Sequence, residues 1–235
     1  MLRTCLCAAS LLLLTLSGCA TTATNPADPW ESVNRKVYAV NDSLDRYALR
    51  PVAQGYKTVV PLPLRTNVSN FFGNIEDVWT GLNNLLQGKP REGASDFGRV
   101  AINSTIGILG LFDVATDIGL EKHEEDLGQT LGVWGMGPGP YVMLPLLGPS
   151  TVRDAGGSVP RYLLDPSSEI SRIPLRNSVT ALKLVNARAQ LIGADSALDE
   201  AALDRYGYLR DFYLKSRQSQ IFDGHPPREK DDYYE

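Results

Sequence analysis

The chain has 235 residues, with 23 Lys and Arg against 27 Asp and Glu, a formal net charge of −4. That balance excludes a general nucleic-acid binder and offers no global basic field for anionic headgroups, although local basic patches stay compatible with it. Hydrophobic residues make up 43%, ordinary for a globular protein, but they crowd into the middle of the chain.

The first residues read as a secretory signal at positions 1–18. Met1-Leu2-Arg3 is a short basic start, and Leu6 through Leu16 form an apolar stretch too short for a bilayer of ~30 Å, which needs about 20 apolar residues. The end of this stretch, Leu16-Ser17-Gly18-Cys19, resembles the lipobox of bacterial lipoproteins, in which the cysteine thiol is acylated and becomes the mature N-terminus. Cleavage before Cys19 removes Cys5 and Cys7, so no disulfide or thiolate metal site is expected. Losing Arg3 leaves 22 basic and 27 acidic residues, a net −5 for the mature chain.

Residues 19–27 read as a lipidated polar linker, and residues 28–222 as one helical domain. Asp28-Pro29-Trp30-Glu31 has the pattern of a helix start, with Asp28 as the cap. Trp30, Val33, Val37, Val40, Leu44 and Ala48 alternate steps of three and four, which predicts an amphipathic helix ending near Leu49, before Arg50-Pro51. A shorter helix is predicted over Val52–Val59, a break at Pro61 and Pro63, and a helix from Val68 to Leu86 with a wide apolar stripe, stopped by Gly88-Lys89-Pro90. The next segment starts near Arg91. From Val100 to Leu120 it is mostly apolar but interrupted by Asn103, Ser104, Thr105, Asp113, Thr116 and Asp117.

Two carboxylates and several glycines make that run a poor transmembrane helix, since a central Asp costs ~2.5–3.5 kcal/mol on insertion scales. A buried core helix, which the periodicity favours, and a helix lying in one leaflet with its polar side toward a pore both fit. Glu121 to Asp126 form a charged patch, in which His123-Glu124-Glu125-Asp126 could hold a hard cation but reads rather as a solvated acidic turn. Glycine and proline between Gly128 and Pro149 predict an irregular apolar loop; loops of that length are usually functional or disordered, and its aromatic and aliphatic content argues against disorder. Helices resume over Leu175–Ile192 and from about Asp195 to Ile221, and residues 223–235 read as a disordered charged tail. No stretch shows sustained strand alternation, so the class is all-α.

The residues offer no catalytic constellation. His123 and His225 are the two histidines, and His123-Glu124-Glu125-Asp126 lacks a second histidine one turn later. Gly148-Pro149-Ser150 is not a nucleophile elbow. Gly135-Met136-Gly137-Pro138-Gly139 lacks the Lys-Ser/Thr of a phosphate loop. Arg153-Asp154 reads as a helix-end pair. The expectation is a non-enzyme with no metal and no cofactor.

Several ordered blocks resemble the VacJ/MlaA family of outer-membrane lipoproteins. They include Asp28-Pro29-Trp30-Glu31 with Asn34-Arg35, Leu49-Arg50-Pro51-Val52-Ala53, Val68-Ser69-Asn70-Phe71-Phe72 and Leu86-Gln87-Gly88. Asn103-Ser104-Thr105-Ile106-Gly107, Gly110-Leu111-Phe112-Asp113-Val114-Ala115 and Glu125-Asp126-Leu127-Gly128-Gln129-Thr130-Leu131-Gly132 follow. Gly139-Pro140-Tyr141, Leu144-Pro145 and Gly148-Pro149-Ser150 with Arg153-Asp154 complete the set. The resemblance is dense over residues 28–157 and loose beyond, where Val159-Pro160-Arg161-Tyr162 departs from the pattern.

The resemblance implies a ring of amphipathic helices in one membrane leaflet around a central channel. The protein would be lipid-anchored at Cys19 in the periplasmic leaflet of the outer membrane. It would remove mislocalised phospholipids from the outer leaflet and pass them to a soluble, MlaC-like periplasmic carrier, in association with a trimeric porin. Candidate channel-lining or gating residues are Tyr141, Gly139, Pro140, Asn103 and Asp113, with the Gly135–Pro145 loop as a movable wall. Tyr141 also fits a core tyrosine with a satisfied hydroxyl. The competing reading is an envelope scaffold lipoprotein, which requires apolar helices that are all internally buried.

Overall fold

The computed structural model describes residues 25–165, 169–195 and 203–227. The signal segment, Cys19, the linker up to residue 24 and the tail from residue 228 lie outside the described residues. Helix α1 spans Glu31–Leu44 and runs through a π-turn at Asp45–Leu49 into α2, Arg50–Val59. The helix therefore does not end before Pro51, as its sequence predicts. A proline ring collides with the carbonyl four residues back and brings no N–H. The π-turn widens the spiral by one residue, and the Arg50 N–H donates to the Asp45 carbonyl.

Helix α3, Leu62–Leu86, begins six residues earlier than expected, because Pro63 falls in its first turn, where no N–H is needed. It pairs with α4, Pro90–Thr105. A Cβ on Gly93 would lie 3.0 Å from the Gly81 carbonyl, so this glycine pair sets how closely α3 and α4 approach. The faces they bury are polar: Asn74, Asp77, Thr80, Asn83 and Asn84 on α3, and Asp96, Arg99 and Asn103 on α4. Val78, Leu82, Leu85, Leu86 and Phe97 are exposed. The apolar stripe predicted from residues 68–86 is thus in large part an outer face.

The central apolar run is neither a core helix nor one helix. It leaves α4 as a knot of turns, with φ of +53° at Ile108, +57° at Leu109 and +85° at Gly110, before the single turn α5, Val114–Asp117. Only glycine fits at positions 107 and 110 of this knot, because a Cβ there would lie 2.2 Å from the Phe112 carbonyl and 2.6 Å from Asn74. Ile106, Ile108, Leu109, Phe112 and Ile118 all point outward, Ile106 and Leu109 each 68% exposed.

Helix α6, Leu127–Val133, is capped by the Asp126 carboxylate, which accepts from the Gln129 N–H. The Gly/Pro stretch then contains a hairpin absent from the sequence reading: β1, Tyr141–Leu144, pairs antiparallel with β2, Gly148–Thr151, in the register Tyr141 opposite Thr151. Thr151 caps α7, Val152–Leu163, also not foreseen. Helices α8, Ile173–Leu191, and α9, Arg205–Ile221, complete the order. Among the described residues this hairpin is the one sheet in a helical fold, and no helix is long and apolar enough to cross a membrane.

The hairpin is sewn to α1 by side-chain amides. Asn34 accepts from the Met143 N–H at 2.9 Å and donates to the Tyr141 carbonyl at 3.1 Å. Two helical turns on, Asn41 accepts from the Leu146 N–H and donates to the Leu144 carbonyl, each at 2.9 Å. The two amides act as rungs of a third strand along the edge of β1. Asn34 also donates to Asp28 at 2.8 Å. Asp28 is buried and receives the Tyr206 hydroxyl at 2.5 Å, so it ties the segment before α1 to α9 instead of capping α1, which begins without a side-chain cap. Tyr141, Met143 and Tyr206 form the apolar core between α1, β1 and α9.

Truncating Asn34 strands buried backbone groups and one carboxylate, a cost of about 1–3 kcal/mol. Asn34→Ala should therefore lower Tm in detergent clearly more than Asn41→Ala, whose partners border solvent. Asn34→Asp should be at least as damaging, because it loses the donor that faces Asp28. Equal melting of all three variants and the parent would contradict this role.

Candidate functional site

Two adjoining cavities lie inside the helices, one of about 380 Å³ and one of about 290 Å³. The larger is bounded by α3, residues 122–127, the hairpin, α7 and α9, and the smaller by α3, α4, Asp113 and α8. They share a wall of Glu76, Asp77, Lys122 and Glu124. Both interiors are rich in charge and amide, because the buried polar faces of α3 and α4 look toward them.

Arg99 organises that wall and is 1% exposed. Its Nε donates to Asp77 at 3.3 Å, Nη1 to Thr116 and the Leu120 carbonyl at 2.9 and 2.6 Å, and Nη2 to both Asp113 oxygens at 2.9 and 3.0 Å. All five guanidinium donors are used. Lys122 donates to the other Asp77 oxygen, so two cations balance two carboxylates. Asn103 donates to Asp113 at 2.9 Å and accepts from the Ala115 N–H at 2.9 Å. Burial alone would raise the Asp113 carboxyl, but hydrogen bonds from Thr116, Asn103 and Arg99 outweigh it and hold its pKa at about 2.

Of the candidate residues named from sequence, Asn103 and Asp113 meet at the smaller cavity. Tyr141 does not line either cavity. The register of β1 turns Tyr141 and Met143 into the core, where Tyr141 meets Tyr206 and Tyr213 at 6.2 and 6.3 Å. It is fully buried, and its hydroxyl has no partner among the described residues. Burial, then the Asp28 charge, raises its pKa. Its strand neighbour Leu144 faces the larger cavity instead. Gly139 and Pro140 also lie off the cavities, in a loop whose Pro138 and Pro140 carbonyls accept from the Arg153 and Val152 N–H groups at 3.1 Å each.

Of the segment read as a solvated acidic turn, Glu121 and Glu124 stay exposed while the other four residues are paired. Lys122 meets Asp77, His123 Nδ1 meets buried Asp96 at 2.8 Å, and Glu125 meets Gln87 and Lys89. Asp126 meets Arg217. Burial raises the Asp126 carboxyl, but the Arg217 guanidinium more than offsets this and lowers it. Arg153-Asp154 is likewise a buried pair, joined by Tyr213. Glu76, Asp77, Arg99, Lys122, Arg161, Lys183 and Arg217 line the cavities and were not singled out from sequence. A signal for some of them existed. Asn74, Asp77, Gly81 and Asn84, and Gly93, Asp96, Arg99 and Asn103, recur at helical spacing as small or polar stripes.

Removing Arg99 leaves Asp113 without its cation and Asp77 with Lys122 alone, so Arg99→Met should cost about 3–5 kcal/mol. Asp113 is lowered on folding, so its stabilisation is complete above its ordinary pKa of 3.8 and is lost as pH falls toward 2. Asp113→Asn should be less stable than the parent at neutral pH and show a shallower loss across that window, read as Tm against pH. A parallel acid limb in both proteins would contradict the assignment.

A family model described as MlaA lipoprotein matches residues 26–220. The MlaA lipoprotein of the intermembrane phospholipid transport system of Escherichia coli K12 is 37% identical over 207 residues, 85% of this chain and 82% of that protein. A Rickettsia bellii protein is 34% identical over 195 residues, 83% of this chain and 76% of its own. A solved structure described as "Structural basis for maintenance of bacterial outer membrane lipid asymmetry" superposes with a TM-score of 0.72 at 35% identity, covering 83% of this chain and 98% of that one. With nearly the whole described fold matched, the chain belongs to the MlaA lipoprotein family.

Proposed function

We propose that this protein is a phospholipid-transport lipoprotein of the bacterial envelope, with the helices seated in the periplasmic leaflet of the outer membrane and the cavities serving as the polar path for headgroups. The observation that carries this reading is the inverted distribution of side chains. Among the described residues, buried polar or charged residues number 18 and buried hydrophobic ones seven, while large aliphatic and aromatic side chains cover the outside. In water, such a shell leaves the hydrophobic term largely unspent. In a leaflet it solvates lipid tails, and the polar interior offers headgroups hydrogen bonds.

A phospholipid buries roughly 30 methylenes at ~0.8 kcal/mol each, so carrying it bare through water costs on the order of 20 kcal/mol. The protein has no need of bond chemistry to lower that cost. It has to keep tails in lipid or against apolar walls while the headgroup passes. In this account Cys19 carries the acyl anchor, and lipids that have strayed to the outer leaflet move inward to a soluble, MlaC-like carrier. A trimeric porin holds the ring in the outer membrane, while the Gly135–Pro145 segment, expected to move as a wall, is instead pinned through Tyr141–Leu144 by Asn34 and Asn41. An envelope scaffold would bury its apolar helices, and the outward-facing Ile106, Ile108, Leu109 and Phe112 weigh against that.

The mature domain with Cys19→Ala, purified and mixed with phosphatidylethanolamine/phosphatidylglycerol vesicles, should float with the vesicles and retain bound phospholipid after extraction. A freely soluble, lipid-free domain would overturn the transport reading and leave the scaffold.

A further inference from the structure

The partition between the two cavities carries a solvent-accessible ion bridge. Glu76 of α3 lines both cavities, Arg161 of α7 lines the larger and Lys183 of α8 lines the smaller. Both cations converge on one Glu76 oxygen, Arg161 Nη2 at 2.5 Å and Lys183 Nζ at 3.2 Å. The bridge therefore crosses the partition, and a group passing from one cavity to the other meets it.

Its members are also free to exchange partners. The side chains of Arg161, Glu76 and Lys183 are 43, 40 and 34% exposed, whereas Arg99 is 1% exposed with every donor taken. Arg217 is committed to Asp126 and Asp154, and Lys122 to buried Asp77. Arg161 makes one hydrogen bond among the described residues, leaving donors of its fork unused. Lys183 otherwise faces Asp165 at 3.7 Å and the Phe72 ring at 5.8 Å.

Two cations sharing one carboxylate oxygen form an anion site already occupied by an internal stand-in. A phosphodiester presents two non-bridging oxygens and a single negative charge, which suits a guanidinium fork and an ammonium better than one carboxylate oxygen does. A phosphodiester that takes the two cations is a monoanion like Glu76, and the displaced carboxylate, still tethered to α3 beside the site, opposes it.

Building on the transport reading, we infer that Arg161 and Lys183 form a phosphate-accepting station for the lipid headgroup, from which the phosphodiester displaces Glu76. Glu76 is then the competitor that returns when the lipid leaves, which keeps the partition closed to small anions and the headgroup only transiently held. The station reads the phosphodiester common to phospholipids, not the alcohol beyond it.

The test uses the purified full-length lipoprotein in detergent and titrates dihexanoyl phosphatidylglycerol, dihexanoylglycerol and inorganic phosphate. Arg161→Gln/Lys183→Gln should weaken the phospholipid by about tenfold or more, the scale of one lost charge-assisted contact, and leave the phosphate-free dihexanoylglycerol unchanged. Glu76→Gln should tighten the phospholipid several-fold. A bridge that only holds α3, α7 and α8 together would make Glu76→Gln weaken binding as the double variant does, so opposite signs identify the station. Binding of the phospholipid that no variant alters would overturn the station while leaving the transport reading in place. No phospholipid binding by the parent protein would overturn both. Inorganic phosphate binding more tightly than the diester would make this a free-phosphate site and overturn the lipid assignment.

Discussion

Arg99 between Asp77 and Asp113 is the interaction on which the rest of the structure depends. A buried guanidinium has to find an acceptor for each donor, and here those acceptors come from α3, the α5 turn and the carbonyl of Leu120. Satisfying them folds the 106–120 segment back over α4 and fixes which face of α3 and α4 points inward. Once the polar faces are committed to the interior, the apolar stripes of the same helices have nowhere to go but out. The inverted character of the molecule follows from that commitment.

The same logic governs the hairpin. Strands β1 and β2 are four residues each and too short to stand alone. They hold because Asn34 and Asn41 supply side-chain rungs along the open edge, and because Tyr141 and Met143 fill the space between α1 and α9. A polar helix face and a small aromatic core thus perform the work that a large aliphatic core performs in a water-soluble domain. The cavities occupy the space that such a core would have filled.

Much of this fold was legible in the sequence. The periodicity of Trp30 to Ala48 and of Phe71 to Leu86 placed helices correctly, and Gly88-Lys89-Pro90 marked a true turn. Orientation was not legible, because an apolar stripe reads the same whether it meets a core or lipid tails. The stripe Asn74, Asp77, Gly81, Asn84 lay on the opposite face and carried the missing information. The π-turn before Pro51 and the strand Tyr141–Leu144 were not legible either. The first lets the helix run on through Pro51, and the second depends on a partner distant in sequence, Asn34 reaching Met143. Of the candidate site, Asn103 and Asp113 were found as polar interruptions of an apolar run. Tyr141 was open between channel and core, and the alternation of a four-residue strand turns it into the core, with its hydroxyl unpartnered among the described residues.

The proposed transport requires that the apolar exterior meets lipid while the polar interior meets water and headgroups. The direct measurement places an environment-sensitive fluorophore at Leu109→Cys and, separately, at Glu124→Cys in the vesicle-bound protein carrying Cys19→Ala. Brominated acyl chains should quench the label at position 109 and aqueous iodide should not, while the label at position 124 should respond to iodide alone. Quenching of both positions by iodide, with neither sensitive to brominated lipid, would contradict the account.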